Sequence, residues 1–142
     1  HLPDLSDPLA IINGDSLLMG DFRGLWDLAP HEDGRIVALH TADASRYGTI
    51  ATDDAGYLTS FLEKRPGAGW INAGIYCFRR AAIERLRPGA SSWETDALPF
   101  FLQSGLRIRV EKVHADFIDI GTPDSYARSD QFVRLHESRF TI

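Results

Sequence analysis

The chain has 142 residues, of which 44% are hydrophobic and 25% are charged, and its formal net charge is −5 at pH 7. This composition is ordinary for a globular protein, so it excludes a disordered chain and a fibrous repeat, and the length suits one domain with a real core. The acidic balance argues against a nucleic-acid partner, because binding to phosphate backbones needs a basic stripe that displaces counterions.

Other features of the sequence predict a cytoplasmic protein with no membrane partner. Cys77 is the single cysteine and has no second thiol with which to form an internal disulfide. This fits a reducing compartment, and we expect a packed core thiol. No apolar run approaches the ~18 residues that would span a bilayer, and the first residues lack a basic and then apolar signal pattern.

The first part of the chain predicts two strands with a short helix between them. The run LAII at 9–12 is a continuous apolar stretch of the kind that is buried on both faces of a parallel sheet. Apolar residues at helical spacing in 21–29 indicate a short helix that begins near Asp21. The run RIVALHT at 35–41 predicts the next strand.

The middle of the chain predicts an antiparallel hairpin. Two β-rich runs within 46–64 flank the turn residues DDAG at 53–56, and a glycine in such a connection is a hairpin signal. We expect this hairpin at an edge of the sheet or in a flap over it. A further strand is predicted at 70–78, and the residues at 79–86 have a helical composition.

Helix caps and two more strands mark the last part of the chain. Ser92 is positioned to cap a helix that ends at Gly105 and that Pro99 would shorten or kink. The runs LRIRVEKV and ADFIDI predict strands, and Thr122 followed by Pro123 predicts the start of the last helix. Strands and helices alternate around one hairpin, which predicts an α/β domain with a mixed sheet.

Two carboxylates follow strands at distant points of the chain. Asp15 comes after the Asn-Gly pair that ends the first strand, and Asp119 lies at the end of ADFIDI. In open α/β sheets, ligands bind beyond the carboxyl ends of the strands, where side chains from different strands converge. Two such acids repel each other unless a cation neutralises them, and Mg²⁺ with a phosphorylated ligand is the usual solution. The spacing alone leaves open that both are only polar turn residues.

Three more motifs carry candidate binding residues. Gly48 lies within a strand pattern, where a missing side chain lets a ligand or another backbone approach closely. Glu63 and Lys64 place an acid beside a base, and Asn72 precedes Gly74 by two residues. Taken singly, each motif is more often a packing glycine, a surface pair or a turn.

Six segments, taken in order, resemble one enzyme family. They are NGDS, RYGTI, FLEKRP, INAGIY, SSWETDALPFF and FIDIGTPDSY. Together they resemble the later part of a sugar-phosphate nucleotidyltransferase, in particular the D-glycero-D-manno-heptose 1-phosphate guanylyltransferase type, with glucose-1-phosphate thymidylyltransferases as more distant relatives. The resemblance covers 9–132 and implies a partial doubly wound, Rossmann-like fold. Such enzymes join a nucleoside triphosphate to a sugar 1-phosphate, giving a nucleotide-sugar and pyrophosphate.

The resemblance also implies roles for individual residues. Asp15 and Asp119 would hold a Mg²⁺ ion and, with Lys64, form the catalytic group. Lys64 would neutralise the sugar phosphate, with Arg46 as a helper. No Ser, Cys or His nucleophile is required, because the sugar phosphate oxygen is already an anion. The implied substrate-binding residues are Asn13, Arg46, Gly48, Glu63, Lys64, Asn72, Gly74 and Glu94.

One part of the family pattern does not occur in this sequence. The pattern begins with a strand and a Gly-rich loop that carries an Arg and then a Lys, which hold the triphosphate and read the base. We therefore expect 1–142 to be the C-terminal portion of a single nucleotidyltransferase domain, without its first strand–helix units of on the order of 90 residues. We expect such a chain to be inactive alone and to form a homo-oligomer or to associate with a separate first half.

Two other functions stay open. A nucleotidyltransferase-like domain could bind sugar phosphate or serve a regulatory role without catalysis. A nucleotide-sugar glycosyltransferase also has a doubly wound sheet with a metal-binding acid, but NGDS lacks its usual pair of acids one residue apart. These motifs fix neither the nucleotide base nor the sugar.

Overall fold

The structure of the chain, a computed structural model, describes residues 6–62, 66–89 and 92–139. The strands in these ranges are β1 (Leu9–Ile12), β2 (Ser16–Met19), β3 (Gly34–Thr41), β4 (Thr49–Thr52), β5 (Leu58–Leu62), β6 (Gly69–Phe78), β7 (Ile108–Val113) and β8 (Asp116–Asp119). The α-helices are α1 (Arg80–Ile83), α2 (Leu98–Gln103), α3 (Pro123–Ala127) and α4 (Ser129–Leu135). Further helical turns are the 3₁₀ turns Arg23–Trp26 and Glu137–Arg139 and the π-helical turn Trp93–Ala97.

A six-stranded mixed sheet forms the centre of the fold. Its strands lie in the order β5-β4-β6-β3-β7, and β1 also pairs with β6. Strands β3 and β7 run parallel, whereas the other pairs of this sheet are antiparallel. Strands β2 and β8 form a second, antiparallel sheet. The predicted α/β class with a mixed sheet is confirmed, and the predicted hairpin is the β4–β5 pair at the edge of the main sheet.

The main sheet has an apolar core on each face. On β3, Ile36 belongs to one core and Val37 to the other, because successive side chains alternate along a strand. Helix α2 covers the first face through Leu98 and Phe101, which are fully buried. The small β2–β8 sheet covers the second face, where Leu18 joins the core. The sheet is therefore enclosed by helices on one side and by a second sheet on the other.

Strand β6 changes its neighbour along one edge. Its C-terminal half pairs with β1, and its N-terminal half meets β4. Between the two pairings the strand bulges, because Val37 of β3 faces three residues of β6, 73–75. Gly74 lies in this bulge with φ of +72°, a left-handed conformation that glycine adopts without steric cost. The bulge therefore lies between the part of β6 that pairs with β1 and the part that pairs with β4.

Strands β1 and β2 differ from the sequence-based expectations. Strand β1 forms where it was expected, but it runs antiparallel to β6, and Ile12 is 62% exposed. The expectation of a strand buried on both faces of a parallel sheet is therefore wrong for this structure. Strand β2 is not predicted, because four residues carry too short a pattern and its pairing with β8 is a long-range contact. Cys77 is buried in the core, as predicted.

The helices are shorter than the sequence indicates. A single 3₁₀ turn, Arg23–Trp26, stands where a helix beginning near Asp21 was expected. The π-helical turn Trp93–Ala97 precedes α2, so Pro99 falls in the first turn of α2, where no backbone N–H is needed. The last helix is divided into α3 and α4 at Arg128. No helix of the described ranges is long and apolar enough to cross a membrane.

Both predicted helix caps are confirmed. Ser92 Oγ accepts a hydrogen bond from the Thr95 N–H at 3.3 Å. Thr122 Oγ1 accepts from the Ser125 N–H at 3.2 Å, and Ser125 Oγ accepts from the Thr122 N–H at 3.2 Å. Such a reciprocal capping box satisfies two backbone donors that the first turn leaves free.

A buried carboxylate fixes the loop before β3. Glu32 is 3% exposed, and its Oε2 accepts from the Ala29 N–H at 3.0 Å and from Arg35 Nε at 2.8 Å. Arg35 also donates to the Asp27 carbonyl at 2.6 Å. Burial would raise the pKa of Glu32, but the Ala29 N–H and the Arg35 guanidinium outweigh it and lower that pKa below its usual 4.5. The carboxylate therefore stays charged and ties the loop to the strand.

Candidate active site

The structure places the backbones of Asp15 and Asp119 close together at one end of the small sheet. Ser16 of β2 lies opposite Asp119 of β8 in the antiparallel register. The Ile120 N–H donates to the Asp15 carbonyl at 2.8 Å, which extends the pairing by one step. Asp15 thus lies directly before β2 and Asp119 is the last residue of β8, so the two residues are neighbours in the fold although they are far apart in the sequence.

The two carboxylates differ in their surroundings. Asp119 Oδ1 accepts from the Gly121 N–H at 2.6 Å, and Oδ2 lies 3.7 Å from Arg46 Nη2. Burial and the nearby charge of Asp119 raise the pKa of the Tyr47 hydroxyl. Asp15 is exposed, and its Oδ1 accepts from Ser16 Oγ at 3.3 Å. Asp119 is the fixed member of the pair, and Asp15 is the accessible one.

A cavity of about 600 Å³ lies between β5 and the π-helical turn that precedes α2. A Cβ built on Gly48 would lie 4.0 Å from Glu94 Oε2 and 3.7 Å from the Leu62 carbonyl oxygen. The missing side chain therefore keeps the space in front of the Glu94 carboxylate open. The lining residues are Gly48, Thr59, Ser60, Phe61, Leu62, Glu94, Thr95, Pro99, Leu102 and Gln103.

A hydrogen-bond network connects the cavity to the β6 bulge. Asn72 Nδ2 donates to Glu94 Oε1 at 3.0 Å and to the Tyr76 hydroxyl at 2.6 Å, and Asn72 Oδ1 accepts from the Gly74 N–H at 3.0 Å. The Asn13 N–H donates to the Gly74 carbonyl at 2.8 Å. Since Asn13 leads directly into Asp15, the bulge links the cavity residues to the carboxylate pair.

A smaller cavity of about 270 Å³ adjoins Asp119 on its other side. Arg46 and Arg128 both line it, and Gln131 adds an amide. Two guanidinium groups and one carboxylate give the lining of this cavity a net positive charge. A phosphate group is the ligand that such a donor set favours.

A model of the nucleotidyl transferase family matches residues 2–135. The chain belongs to this family. The mannose-1-phosphate guanylyltransferase of Mycobacterium tuberculosis is 31% identical over 129 residues, which are 87% of this chain and 36% of that protein. The glucose-1-phosphate adenylyltransferase of Desulfitobacterium hafniense is 28% identical over 144 residues, with 92% and 36% covered. The crystal structure of HddC from Yersinia pseudotuberculosis complexed with GMP-PN matches with a TM-score of 0.76 and 30% identity, over 89% of this chain and 56% of that chain.

These comparisons confirm the predicted family and the Rossmann-like nucleotidyltransferase fold. The chain spans 36% of the length of these two curated relatives and 56% of HddC.

Asp15 and Asp119 offer the type of ligand that a magnesium ion prefers. Within 6–62, 66–89 and 92–139, no cluster of three or more His, Cys, Asp or Glu side chains could hold a metal by itself. Magnesium prefers hard oxygen ligands and usually takes one or two carboxylates, completing its shell with water and substrate phosphates. Asp15, directly before β2, and Asp119, at the end of β8, are two carboxylates of this type. The donor set fits an ion that a phosphorylated substrate would complete.

The predicted substrate-binding residues that the structure describes form two groups by their position in the fold. Asn13, Gly48, Asn72, Gly74 and Glu94 form the connected set around the bulge and the large cavity. Arg46 lies apart from them, beside Asp119. Glu63 and Lys64, the neighbouring acid and base of the FLEKRP segment, fall outside the described residues, so their roles stay predictions.

Sequence patterns single out neither Tyr47 nor Tyr76 of this chain. Tyr76 could have been found, because residues four apart in a strand share a face and Asn72 is already a candidate. Tyr47 lines the smaller cavity beside Asp119 of β8, and only the folded chain reveals that proximity.

Proposed function

We propose that this chain belongs to an enzyme that joins a nucleoside triphosphate to a sugar 1-phosphate, with Mg²⁺, to give a nucleotide-sugar and pyrophosphate. The observation that carries the proposal is the continuous path from the Glu94 carboxylate in the large cavity to the carboxylate pair. That path runs through Asn72, Gly74 and Asn13. It suits a ligand with sugar hydroxyls at one end and a phosphate at the other.

The names of the similar proteins support a guanine nucleotide as the donor. The relative from Mycobacterium tuberculosis is a guanylyltransferase for mannose 1-phosphate, and HddC was crystallised with GMP-PN. We propose GTP as the donor and a heptose or mannose 1-phosphate as the acceptor. The adenylyltransferase from Desulfitobacterium hafniense makes ATP the donor to test beside GTP.

In this proposal the protein aligns the two substrates and neutralises their charge. Glu94 accepts hydrogen bonds from sugar hydroxyls, while Arg46, Arg128 and Lys64 balance the phosphates. Asp15 and Asp119 would hold the magnesium ion, which when bound would offset the negative charge of the phosphate groups. The sugar phosphate oxygen then attacks the α-phosphorus in line and pyrophosphate leaves, so no side chain has to act as a nucleophile.

A second function is favoured by one sequence observation. The 142 residues contain no Gly-rich loop followed by an Arg and a Lys, although the described residues include the large cavity that Glu94 lines. We propose that this chain by itself binds sugar 1-phosphate without transferring a nucleotide, and that transfer needs a triphosphate-binding loop in addition.

Calorimetric titration separates these functions. Mannose 1-phosphate, heptose 1-phosphate, GTP and ATP are each titrated with MgCl₂ into the 142-residue chain, and pyrophosphate release is followed in mixtures. We expect a sugar 1-phosphate to bind and no pyrophosphate to appear. Pyrophosphate release by this chain would overturn the second function and support the first. Binding of no sugar phosphate would contradict both.

Charge-removing variants test the site. In a chain that also carries a triphosphate loop, Asp15→Asn and Asp119→Asn should each reduce turnover about a hundredfold or more, because charge stabilisation of several kcal/mol depends on the metal. Asp54→Asn changes an exposed carboxylate in the hairpin turn and serves as the control. Full activity in both site variants would mean that the two acids are only turn residues.

A further inference from the structure

Tyr76 is held rigidly behind the large cavity. It is fully buried, and its ring stacks on Trp93 with centroids 5.1 Å apart and planes 19° apart. Phe78 stacks on the same Trp93 at 5.6 Å. Two torsion angles fix the place of a tyrosine hydroxyl, and both are set by this stack. The hydroxyl is therefore an anchor of defined position.

The Asn72 side chain connects this anchor to Glu94. Its Oδ1 accepts from the Gly74 N–H at 3.0 Å, so the nitrogen must face the other way. The Glu94 carboxylate only accepts hydrogen bonds, which is consistent with that orientation. Nδ2 has two hydrogens, and they go to the Tyr76 hydroxyl at 2.6 Å and to Glu94 Oε1 at 3.0 Å.

This arrangement leaves a specific group for a ligand. Both amide hydrogens of Asn72 are used within the protein, so they cannot also bind a sugar hydroxyl. Glu94 Oε2 faces the space that Gly48 leaves open. Burial raises the pKa of Tyr76 to about 12, so its hydroxyl is neutral at physiological pH and accepts from Asn72 without adding charge beside Glu94.

We infer that Tyr76 is a positioning residue: acting through Asn72, it fixes the Glu94 carboxylate so that Oε2 meets the hydroxyls of the bound sugar. Asn72 is on this view part of the support and Glu94 is the group that touches the ligand. The inference rests on the proposed function for the nature of the ligand. It adds the origin of the selectivity, because a fixed carboxylate distinguishes hydroxyl positions and a freely rotating one does not.

The test compares the wild type with Tyr76→Phe, which keeps the stacked ring and removes only the hydroxyl. Mannose 1-phosphate and its monodeoxy analogues are titrated into both chains. We expect Tyr76→Phe to bind mannose 1-phosphate about threefold to tenfold more weakly, the size of one lost hydrogen bond. The ratio between the parent sugar and the most affected deoxy analogue should fall as well.

Two comparisons separate positioning from a general loss of stability. Tyr57→Phe removes another tyrosine hydroxyl, which lies 2.8 Å from His31 Nε2 outside the cavity lining, and it should leave binding unchanged. In a Glu94→Gln background, Tyr76→Phe should have little further effect, because residues that act through one another are not additive. The inference would be overturned if Tyr76→Phe weakened binding equally in the wild-type and Glu94→Gln chains. It would also be overturned if Tyr76→Phe left binding by the wild-type chain unchanged.

If the wild type binds no sugar phosphate, the proposed function is refuted. The positioning role of Tyr76 can then still be tested by a measurement without ligand. Carbon-13 relaxation then reports the order of the Glu94 side chain. An ordered Glu94 that becomes mobile in Tyr76→Phe and stays ordered in Tyr57→Phe supports positioning. A Glu94 side chain of the same mobility in all three chains overturns it.

Discussion

Replacing Gly74 by alanine perturbs the centre of the candidate site and the bulge that forms it. Gly74 has φ of +72°, and a Cβ at this position would lie 2.6 Å from Asn13 Nδ2, 2.7 Å from Asn13 Cγ and 2.9 Å from Asn13 Cβ. Real Cβ atoms do not approach other heavy atoms so closely. The Asn13 N–H also donates to the Gly74 carbonyl, so neither residue can move away without breaking that hydrogen bond.

Two terms set the magnitude of the effect. A left-handed conformation costs an ordinary residue ~1–2 kcal/mol, and forcing extra volume into a packed site costs ~1–3 kcal/mol. Gly74→Ala should therefore lower the free energy of unfolding by about 2–5 kcal/mol, a large share of the ~5–15 kcal/mol typical of a domain. At roughly 3 °C per kcal/mol for a chain of this size, Tm should fall by about 6–15 °C.

The structure offers a matched control for the backbone term. Gly105 has φ of +74° but no heavy atom within 4 Å of a built Cβ, so Gly105→Ala should lose only ~1–2 kcal/mol. Urea unfolding of both variants isolates the contact with Asn13. Asn13→Gly removes all three atoms that the new methyl meets, so Gly74→Ala should cost less in that background. Equal losses for Gly74→Ala and Gly105→Ala would refute the reasoning.

Two more predictions concern stability away from the cavity. Glu32→Gln should cost about 3 kcal/mol near neutral pH, because it breaks a buried pair with Arg35. The pKa of Glu32 is lowered in the folded state from its usual 4.5. The stabilisation by the Glu32–Arg35 pair is therefore complete above pH 4.5 and is lost as the pH falls through the lower pKa of the folded state. Urea titrations at several pH values should show the two chains converging in acid, and a constant difference would contradict this origin. Thr122→Ala should cost ~1 kcal/mol by removing the cap of α3, and Thr122→Ser should restore it, whereas equal unfolding midpoints for all three chains would rule out the capping role.

Local signals in the sequence were sufficient for most elements. The DDAG turn at 53–56 predicted the β4–β5 hairpin, and Thr122 with Pro123 predicted the start of α3. These features depend on residues within a few positions of one another, where backbone preference and side-chain capping act directly. The order of six segments was also sufficient to predict the family that the comparisons confirm.

The pairing of strands could not be predicted in the same way. Strand β1 has an apolar pattern that suits a parallel or an antiparallel neighbour, and its pairing with β6 is decided by contacts across most of the chain. Strand β2 has only four residues and becomes a strand through β8. Short strands depend on their partners, because cross-strand pairs rather than local propensity stabilise a sheet.

The candidate site combines both levels. The sequence by itself determined the candidate residues, since Asp15, Asp119, Asn72 and Glu94 all lie in the segments that resemble the family. Only the tertiary structure decided what each of them faces. The β2–β8 pairing makes Asp15 and Asp119 neighbours along the backbone, and Asn72, beside the Gly74 bulge, reaches Tyr76 and Glu94. The sequence gives the residue types directly, but the hydrogen-bond partners depend on the packing of strands that are distant in the chain.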